Sequence, residues 1–140
     1  MQELYNSTVT KRALSPIVAT DNTALTTQII DTKDFGGVMF HIATGTLADT
    51  DATFAVTAAE SDNANMSSPS DVADGNMLGS ETLASFQFND DDEIRKLLIT
   101  PTKRYVQLTI TPSGNSGNAP LAAFAQLFGA KYLPATQGAS

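Results

Sequence analysis

Residues 93–112 read EIRKLLITPTKRYVQLTITP, in which two apolar runs flank a short polar segment. In the second run Val106, Leu108 and Ile110 alternate with polar residues, and this period is typical of a strand with one buried and one solvated face. The first run alternates less cleanly, because each of its faces carries apolar residues together with a basic one. The connection begins with Pro101, which presets the backbone dihedral of a turn. The stretch predicts a β-hairpin at the centre of a β-sheet protein.

The same two-residue period predicts a second pair of strands earlier in the chain. Residues 38–44 form one strand, and residues 52–60 are its predicted antiparallel partner. Val38, Phe40 and Ile42 share one face of the first strand, and Met39, His41 and Ala43 share the other. In the second strand, Phe54, Val56 and Ala58 are expected to face inward. Further strands are predicted at residues 17–20, 24–30 and 81–89.

Residues 120–132 fit two structures. Alanine, leucine and glutamine favour a helix, and a proline at its start is compatible with one. Phe124 and Phe128 fit either a helical or a strand period. A closing strand agrees better with an all-β domain, so both alternatives stay open.

The polar composition indicates many short strands joined by turns. Threonine suits strands, whereas aspartate, asparagine, serine and glycine suit turns. A chain of 140 residues is one domain with room for a core. We predict an all-β, single-domain antiparallel β-sandwich or jelly-roll-like barrel at residues 17–132. Residues 1–16 are expected to form an extended N-terminal arm with a short strand near residues 8–13, and residues 133–140 a C-terminal tail.

The longest predicted loop is residues 61–80. Ser70 is expected to cap a short helical turn at residues 71–74. A loop of this length in a compact domain usually has a function or forms a contact surface.

The charge balance limits the possible partners. Fifteen acidic and eight basic residues give a net charge of -7, which argues against binding nucleic acid or an anionic membrane surface. The absence of cysteine excludes disulfides and thiolate chemistry. The first twelve residues lack the apolar core of a signal peptide, and no stretch is long and apolar enough to span a bilayer. Synthesis in a cytoplasm is therefore expected.

His41 is the only histidine. One histidine and no cysteine exclude zinc-type sites and two-histidine metal motifs. A triad would need a positioned nucleophile and a carboxylate, and no nucleophile-elbow spacing accompanies His41. We interpret it as a histidine on the more polar face of a strand, and we predict no catalytic or cofactor-binding residues.

An acidic cluster raises the question of a cation. Its carboxylates are hard ligands that suit Ca²⁺, but the spacing and central glycine of an EF-hand loop are missing. We favour a solvated turn, in which Arg95 or Lys96 offsets part of the negative charge of Asp92 or Glu93. We therefore predict no metal site. The cluster consists of Asp90, Asp91, Asp92 and Glu93. Asp49 and Asp51 are a weaker candidate for the same kind of cation site.

Two other short features have simple interpretations. Lys103 and Arg104 form a solvated turn, or pair with an acidic loop of a neighbouring subunit. Gly36 and Gly37 precede a strand and do not open a helix, which is the wrong context for nucleotide binding.

Several phrases occur in an order that resembles small structural proteins of tailed bacteriophages. They are VATDNTALTTQIIDT (18–32), GTLADTDATFAVTAAESDN (45–63), VADGNMLGSE (72–81), FNDDDEIRKL (88–97) and KRYVQLTITP (103–112). The resemblance implies a virion protein on the capsid surface, either a head decoration (cement) protein or the capsid-anchored base of a head fibre. It also implies binding to the major capsid protein and a homo-oligomer, with a trimer favoured.

Two other functions are compatible with the sequence. The first is a neck, tail or head-fibre component of the particle. The second, from a different class, is a carbohydrate-binding module, although the lack of tryptophan weakens it. Catalysis is not expected.

Overall fold

The computed structural model describes residues 2–138, and its regular secondary structure is mostly β-strand. The helices are α1 (Gln2–Ser7) and α2 (Glu81–Ala84), with one 3₁₀ turn at Asp74–Asn76. The strands are β1 (Val9–Ala19), β2 (Leu25–Thr26), β3 (Ile30–Asp31), β4 (Gly37–Thr44), β5 (Thr53–Ser61), β6 (Ser70–Asp71), β7 (Met77–Leu78), β8 (Phe86–Gln87), β9 (Ile94–Ile99), β10 (Tyr105–Ser113) and β11 (Ala119–Phe128). Within residues 2–138, no helix has the length and hydropathy needed to cross a membrane.

The strands form two antiparallel sheets packed face to face. Sheet A has the order β1-β11-β4-β9-β7, and sheet B has the order β2-β10-β5-β6, with β3 also beside β10 and β8 beside β5. Along the described chain, consecutive strands stay in one sheet from β2 to β3 and from β5 to β6, and every other connection changes sheet. This alternation interleaves the strands of the two sheets as in a jelly roll. The predicted all-β, single-domain sandwich is therefore confirmed.

The core lies between the two sheets and uses the predicted inward faces. Phe54 of β5 stacks on Phe86 of β8, with ring centroids 4.8 Å apart. Residues with exposures of 2% or less include Val38, Phe40, Ile42, Phe54, Val56, Ala58, Val106, Leu108 and Ile110. The two-residue period thus grouped the buried side chains of β4, β5 and β10 correctly.

The predicted hairpin of residues 93–112 is wrong. β9 pairs with β4 and β7, whereas β10 pairs with β5, β2 and β3, so the connection crosses from one sheet to the other. The buried carboxylate of Glu60 holds this crossing, accepting hydrogen bonds from Thr102 N at 3.0 Å and Thr102 Oγ1 at 2.7 Å. Alternation shows which face is buried but not which strand lies alongside.

The predicted pairing of residues 38–44 with residues 52–60 is wrong for the same reason. β4 lies between β11 and β9 in sheet A, and β5 lies beside β10 in sheet B. Leu47 and Ala52 of the connection are buried, so this segment closes one end of the core as it changes sheet.

The segment at residues 81–89 is not one strand. Ser80 caps α2, because its Oγ accepts a hydrogen bond from Leu83 N at 3.0 Å. Only Phe86–Gln87 pairs as a strand. The helical turn expected at residues 71–74 is also wrong, because Ser70 lies in β6 and the 3₁₀ turn follows Ala73 without a side-chain cap.

Both ends of the chain pack on the sandwich. Sheet A begins at Val9, not at residue 17, because β1 pairs with β11 along its length through two register shifts. The C-terminal segment binds α1, with Ala135 N donating to Asn6 O at 2.7 Å and Gln137 Nε2 donating to Tyr5 O at 3.0 Å. The ends of the predicted arm and tail, residues 1 and 139–140, lie outside the described residues.

Two strand predictions are refined. Of the two alternatives for residues 120–132, the strand is confirmed for residues 120–128, because β11 pairs with β1 on one side and β4 on the other, and residues 129–132 lie beyond its end. The strand predicted at residues 24–30 is divided into β2 and β3, which both pair with β10.

Candidate interaction surface

The acidic turn before β9 forms ion pairs within the chain. Arg95 Nη2 lies 2.9 Å from Asp90 Oδ1 and 2.9 Å from Glu93 Oε2. The expectation that Arg95 offsets part of this charge is confirmed for Glu93. The second oxygen of Asp90 accepts a hydrogen bond from Gln87 N at 2.9 Å, so both of its oxygens have partners.

The carboxylates of Asp91 and Asp49 accept hydrogen bonds from backbone N–H groups of turns. Asp91 Oδ1 accepts from Leu47 N at 2.9 Å. Asp49 accepts from Asp51 N and from both N and Oγ of Ser116, and these hydrogen bonds lower the pKa of Asp49. Within residues 2–138, no three His, Cys, Asp or Glu side chains are grouped as metal ligands.

Arg104 is engaged inside its own chain. Its Nε and Nη2 atoms donate to the two oxygens of Asp31 at 2.8 and 2.7 Å, and the guanidinium lies 5.0 Å from the ring centroid of Tyr105. This bidentate contact lowers the pKa of Asp31. The hypothesis that the Lys103-Arg104 turn binds a neighbouring subunit would require Arg104 to exchange this partner.

His41 lies on the outer face of sheet A. Its ring stacks on Phe124 with centroids 4.5 Å apart and an angle of 11° between the planes. Its cross-strand neighbours are Phe124 and Lys96, neither of which is a carboxylate or a nucleophile. The Nε2 atom is buried and has no hydrogen-bond partner within residues 2–138. The geometry around His41 is therefore that of a packed aromatic pair.

The outer face of sheet A is apolar and accessible. Leu78 is 70% exposed, Ile94 is 68% exposed and Leu83 is 66% exposed. They line an open cleft of about 440 Å³ together with Met39 and Leu98. Phe124 continues the surface across β11 and is 40% exposed. We call this surface the apolar face and define it by Met39, Leu78, Leu83, Ile94, Leu98 and Phe124.

The outer face of sheet B has a different character. Small polar pairs lie across β5 and β10, such as Thr57 opposite Thr109 and Thr53 opposite Ser113. Neither strand contributes to the large apolar side chains that are exposed among residues 2–138. The two sides of the sandwich therefore differ, and the apolar side is the candidate interaction surface.

Local sequence pattern indicates only part of this surface. Ile94 and Leu98 share a face with Lys96, and Leu97 and Ile99 occupy the opposite, buried face. A run with apolar residues on both faces indicates a strand that contacts something on each side. Leu78 and Leu83 gave no such signal, because their place beside β9 depends on the sheet order.

Comparisons with known proteins define the fold alone. No known protein family and no curated protein matches the chain. The exported protein XepA of PBSX is 12% identical, with a TM-score of 0.53 over 91% of this chain and 39% of XepA. VP2 of the infectious bursal disease virus subviral particle is 11% identical, with a TM-score of 0.52 over 89% of this chain and 32% of VP2. The chain therefore spans less than half the length of either protein.

A xylan-binding module, CBM15, is also similar in outline. It is 12% identical over 92% of this chain and 95% of the module, with a TM-score of 0.41. A similarity at this level carries no functional argument. The similarity to XepA and VP2 shows the fold alone, so function has to be argued from the surface.

Proposed function

We propose that the protein is a structural component of a tailed-bacteriophage particle, and that it decorates the capsid shell by binding the major capsid protein. The observation that carries the proposal is the exposed apolar face on one side of the jelly roll. The order of shared phrases at residues 18–112 supports a phage virion protein. The fold similarity to a PBSX protein and to a protein of a viral particle is compatible with this role.

The exposed side chains provide enough free energy for docking. Burial of one leucine or isoleucine side chain contributes about 1.5–3 kcal/mol. Leu78, Leu83 and Ile94 are each about two-thirds exposed, so their burial by a partner supplies several kcal/mol before the entropic cost of association. Soluble monomers rarely leave large contiguous apolar patches uncovered.

In this proposal the protein acts by binding and not by catalysis. The carboxylates of Asp49, Asp90 and Asp91 are used to order turns, and His41 packs on an aromatic ring. A protein that binds the assembled shell, and not its separated subunits, stabilises the shell by mass action. Trimers on local threefold axes of the shell would fit the symmetry of closed assemblies.

The decisive experiment measures copy number and shell stability together. Quantitative mass spectrometry of purified particles should find hundreds of copies, and particles without the protein should release their genome at a lower temperature. A handful of copies would indicate a neck, tail or head-fibre component. Absence from purified particles would overturn the virion role, and equal heat resistance would overturn stabilisation.

A matched pair of variants tests the surface. The double variant Leu78→Gln with Ile94→Gln removes apolar area without adding charge, and it should occupy particles at less than about one-tenth of the wild-type level. Thr57→Gln with Thr111→Gln makes comparable exposed changes on sheet B and should bind normally. Circular dichroism melting should confirm that both variants fold. Equal occupancy of the two variants would show that the apolar face is not the contact surface.

A further inference from the structure

A row of side chains crosses the outer face of sheet A from one strand to the next. Lys96 of β9 lies opposite His41 of β4, His41 lies opposite Phe124 of β11, and Phe124 lies opposite Arg12 of β1. Directly opposed residues share one face of a sheet. The row therefore places a cation at each end of the stacked pair of His41 and Phe124.

Sheet A is basic although the chain as a whole is acidic. Its five strands contain no aspartate or glutamate. They contain four basic residues in a chain with a net charge of -7. Arg12 and Lys96 lie on the outer face, whereas Lys11 and Arg95 lie opposite the buried Ala125 and Ile42 and so are on the inward side. Arg95 is paired with acidic residues of the preceding turn. Lys96 is exposed and lies beside the apolar cleft.

This charge pattern disfavours two kinds of occupant. In a face-to-face pairing of two copies, each apolar face would present cations and no strand carboxylate to the other, and such like-charge contacts are unfavourable. A nucleic acid or an anionic membrane would be attracted by two cations but repelled by the net negative charge of the rest of the chain. A protein surface that carries both apolar and acidic side chains would complement the apolar residues and the cations of this face.

We propose that the apolar face binds an acidic segment of the capsid shell, with apolar side chains in the cleft and a carboxylate against Lys96. The inference rests on the proposed function and adds the chemistry of the partner. Lys96 is exposed and lines the cleft, so a carboxylate of the partner can reach it while apolar side chains fill the cleft.

Charge reversal at Lys96 tests the proposal directly. Shells taken from particles that lack the protein are titrated with the purified chain, and bound protein is measured by co-sedimentation at several salt concentrations. Lys96→Glu should weaken binding by about tenfold or more. Lys131→Glu makes the same change in net charge at an exposed position after β11 and should bind like the wild type. Wild-type affinity should fall as salt rises, because screening shortens the range of exposed charges.

The outcomes separate this inference from the proposed function. If the wild type binds shells but Lys96→Glu binds as well as Lys131→Glu, the acidic partner is wrong and the decoration role stands. If the wild type does not bind shells, both proposals fail. Sedimentation also tests whether the wild type self-associates through this face. If Lys96→Glu changes that self-association and leaves shell binding unchanged, the occupant is a second copy and the inference is overturned.

Discussion

Polar side chains in this protein mainly fix the path of its connections. Glu60 is almost fully buried, and each of its oxygens accepts a hydrogen bond from Thr102, which holds the crossing between β9 and β10. Asp31 and Arg104 bind each other where that crossing enters β10. Because a buried polar group needs a partner, these contacts favour the crossing over the hairpin that the local sequence suggests.

The contact between Asp31 and Arg104 makes a small contribution to stability that depends on pH. The hydrogen bonds from Arg104 lower the pKa of Asp31 in the folded state. The stabilisation is therefore complete above the unfolded carboxyl pKa of about 3.9 and is lost as the pH falls through the lower folded pKa. Both side chains are more than 40% exposed, so the contribution is about 0–1 kcal/mol.

Urea unfolding at two pH values measures this contribution. Asp31→Asn should reduce the free energy of unfolding at pH 7 by no more than about 1 kcal/mol, and the difference from wild type should shrink below about pH 3. Asp62→Asn changes an exposed carboxylate in the loop after β5 and is the control. A deficit that persists unchanged in acid would show that the effect is not electrostatic.

At the scale of elements, side chains of α2 and of Ser85, which caps its C-terminus, accept hydrogen bonds from the backbone of β5. Glu81 Oε1 accepts from Ala58 N at 2.7 Å, and Ser85 Oγ accepts from Val56 N at 2.9 Å. Phe86 then pairs with Phe54 as a short strand. An edge strand with free backbone N–H groups is a template for pairing with another chain. Glu81 and Ser85 accept hydrogen bonds from two of these N–H groups, those of Ala58 and Val56.

Removal of these acceptors should destabilise the sandwich and expose its edge. Glu81→Ala leaves Ala58 N without its partner and should reduce the free energy of unfolding by about 1–3 kcal/mol. Thr82→Ala changes an exposed neighbour in the same helix and should leave stability nearly unchanged. Thermal melting compares the two, and amide hydrogen exchange at Ala58 should be faster in Glu81→Ala. Equal exchange in both variants would contradict the role of Glu81.

Local pattern predicted β4, β5, β9 and β10 and the side chains that share a face in each of them, but not which strands lie beside them. The alternation at Val106, Leu108 and Ile110 was sufficient to identify the inner face of β10. It could not show that β10 pairs with β5, because an arch between sheets and a hairpin within one sheet leave the same residues buried. The helix α2 was missed because Ala84 and Phe86 are buried two residues apart, as in a strand, although a helix and a strand contribute them separately.

At the scale of the whole molecule, the two outer faces are chemically unequal. Sheet A presents the apolar face with its basic row, and sheet B presents small polar residues such as Thr57 and Thr109. The candidate surface depends on sheet order, because Leu78 from β7 and Ile94 from β9 meet only once β7 lies beside β9. No local pattern contains that information, so the surface could not be predicted from the sequence.

Hydroxyl-radical footprinting of the bound protein measures which side faces the shell. Met39 and Phe124 on the apolar face react readily with radicals, and both are at least partly accessible in the free chain. Their labelling should fall several-fold when the protein occupies particles, because docking excludes solvent from a buried contact. Tyr105, which lies opposite Asp31 and Ser61 in sheet B, should be labelled equally in free and bound protein. Protection of Tyr105 with unchanged labelling of Phe124 would mean that the polar face docks, and the apolar face would then need a different occupant.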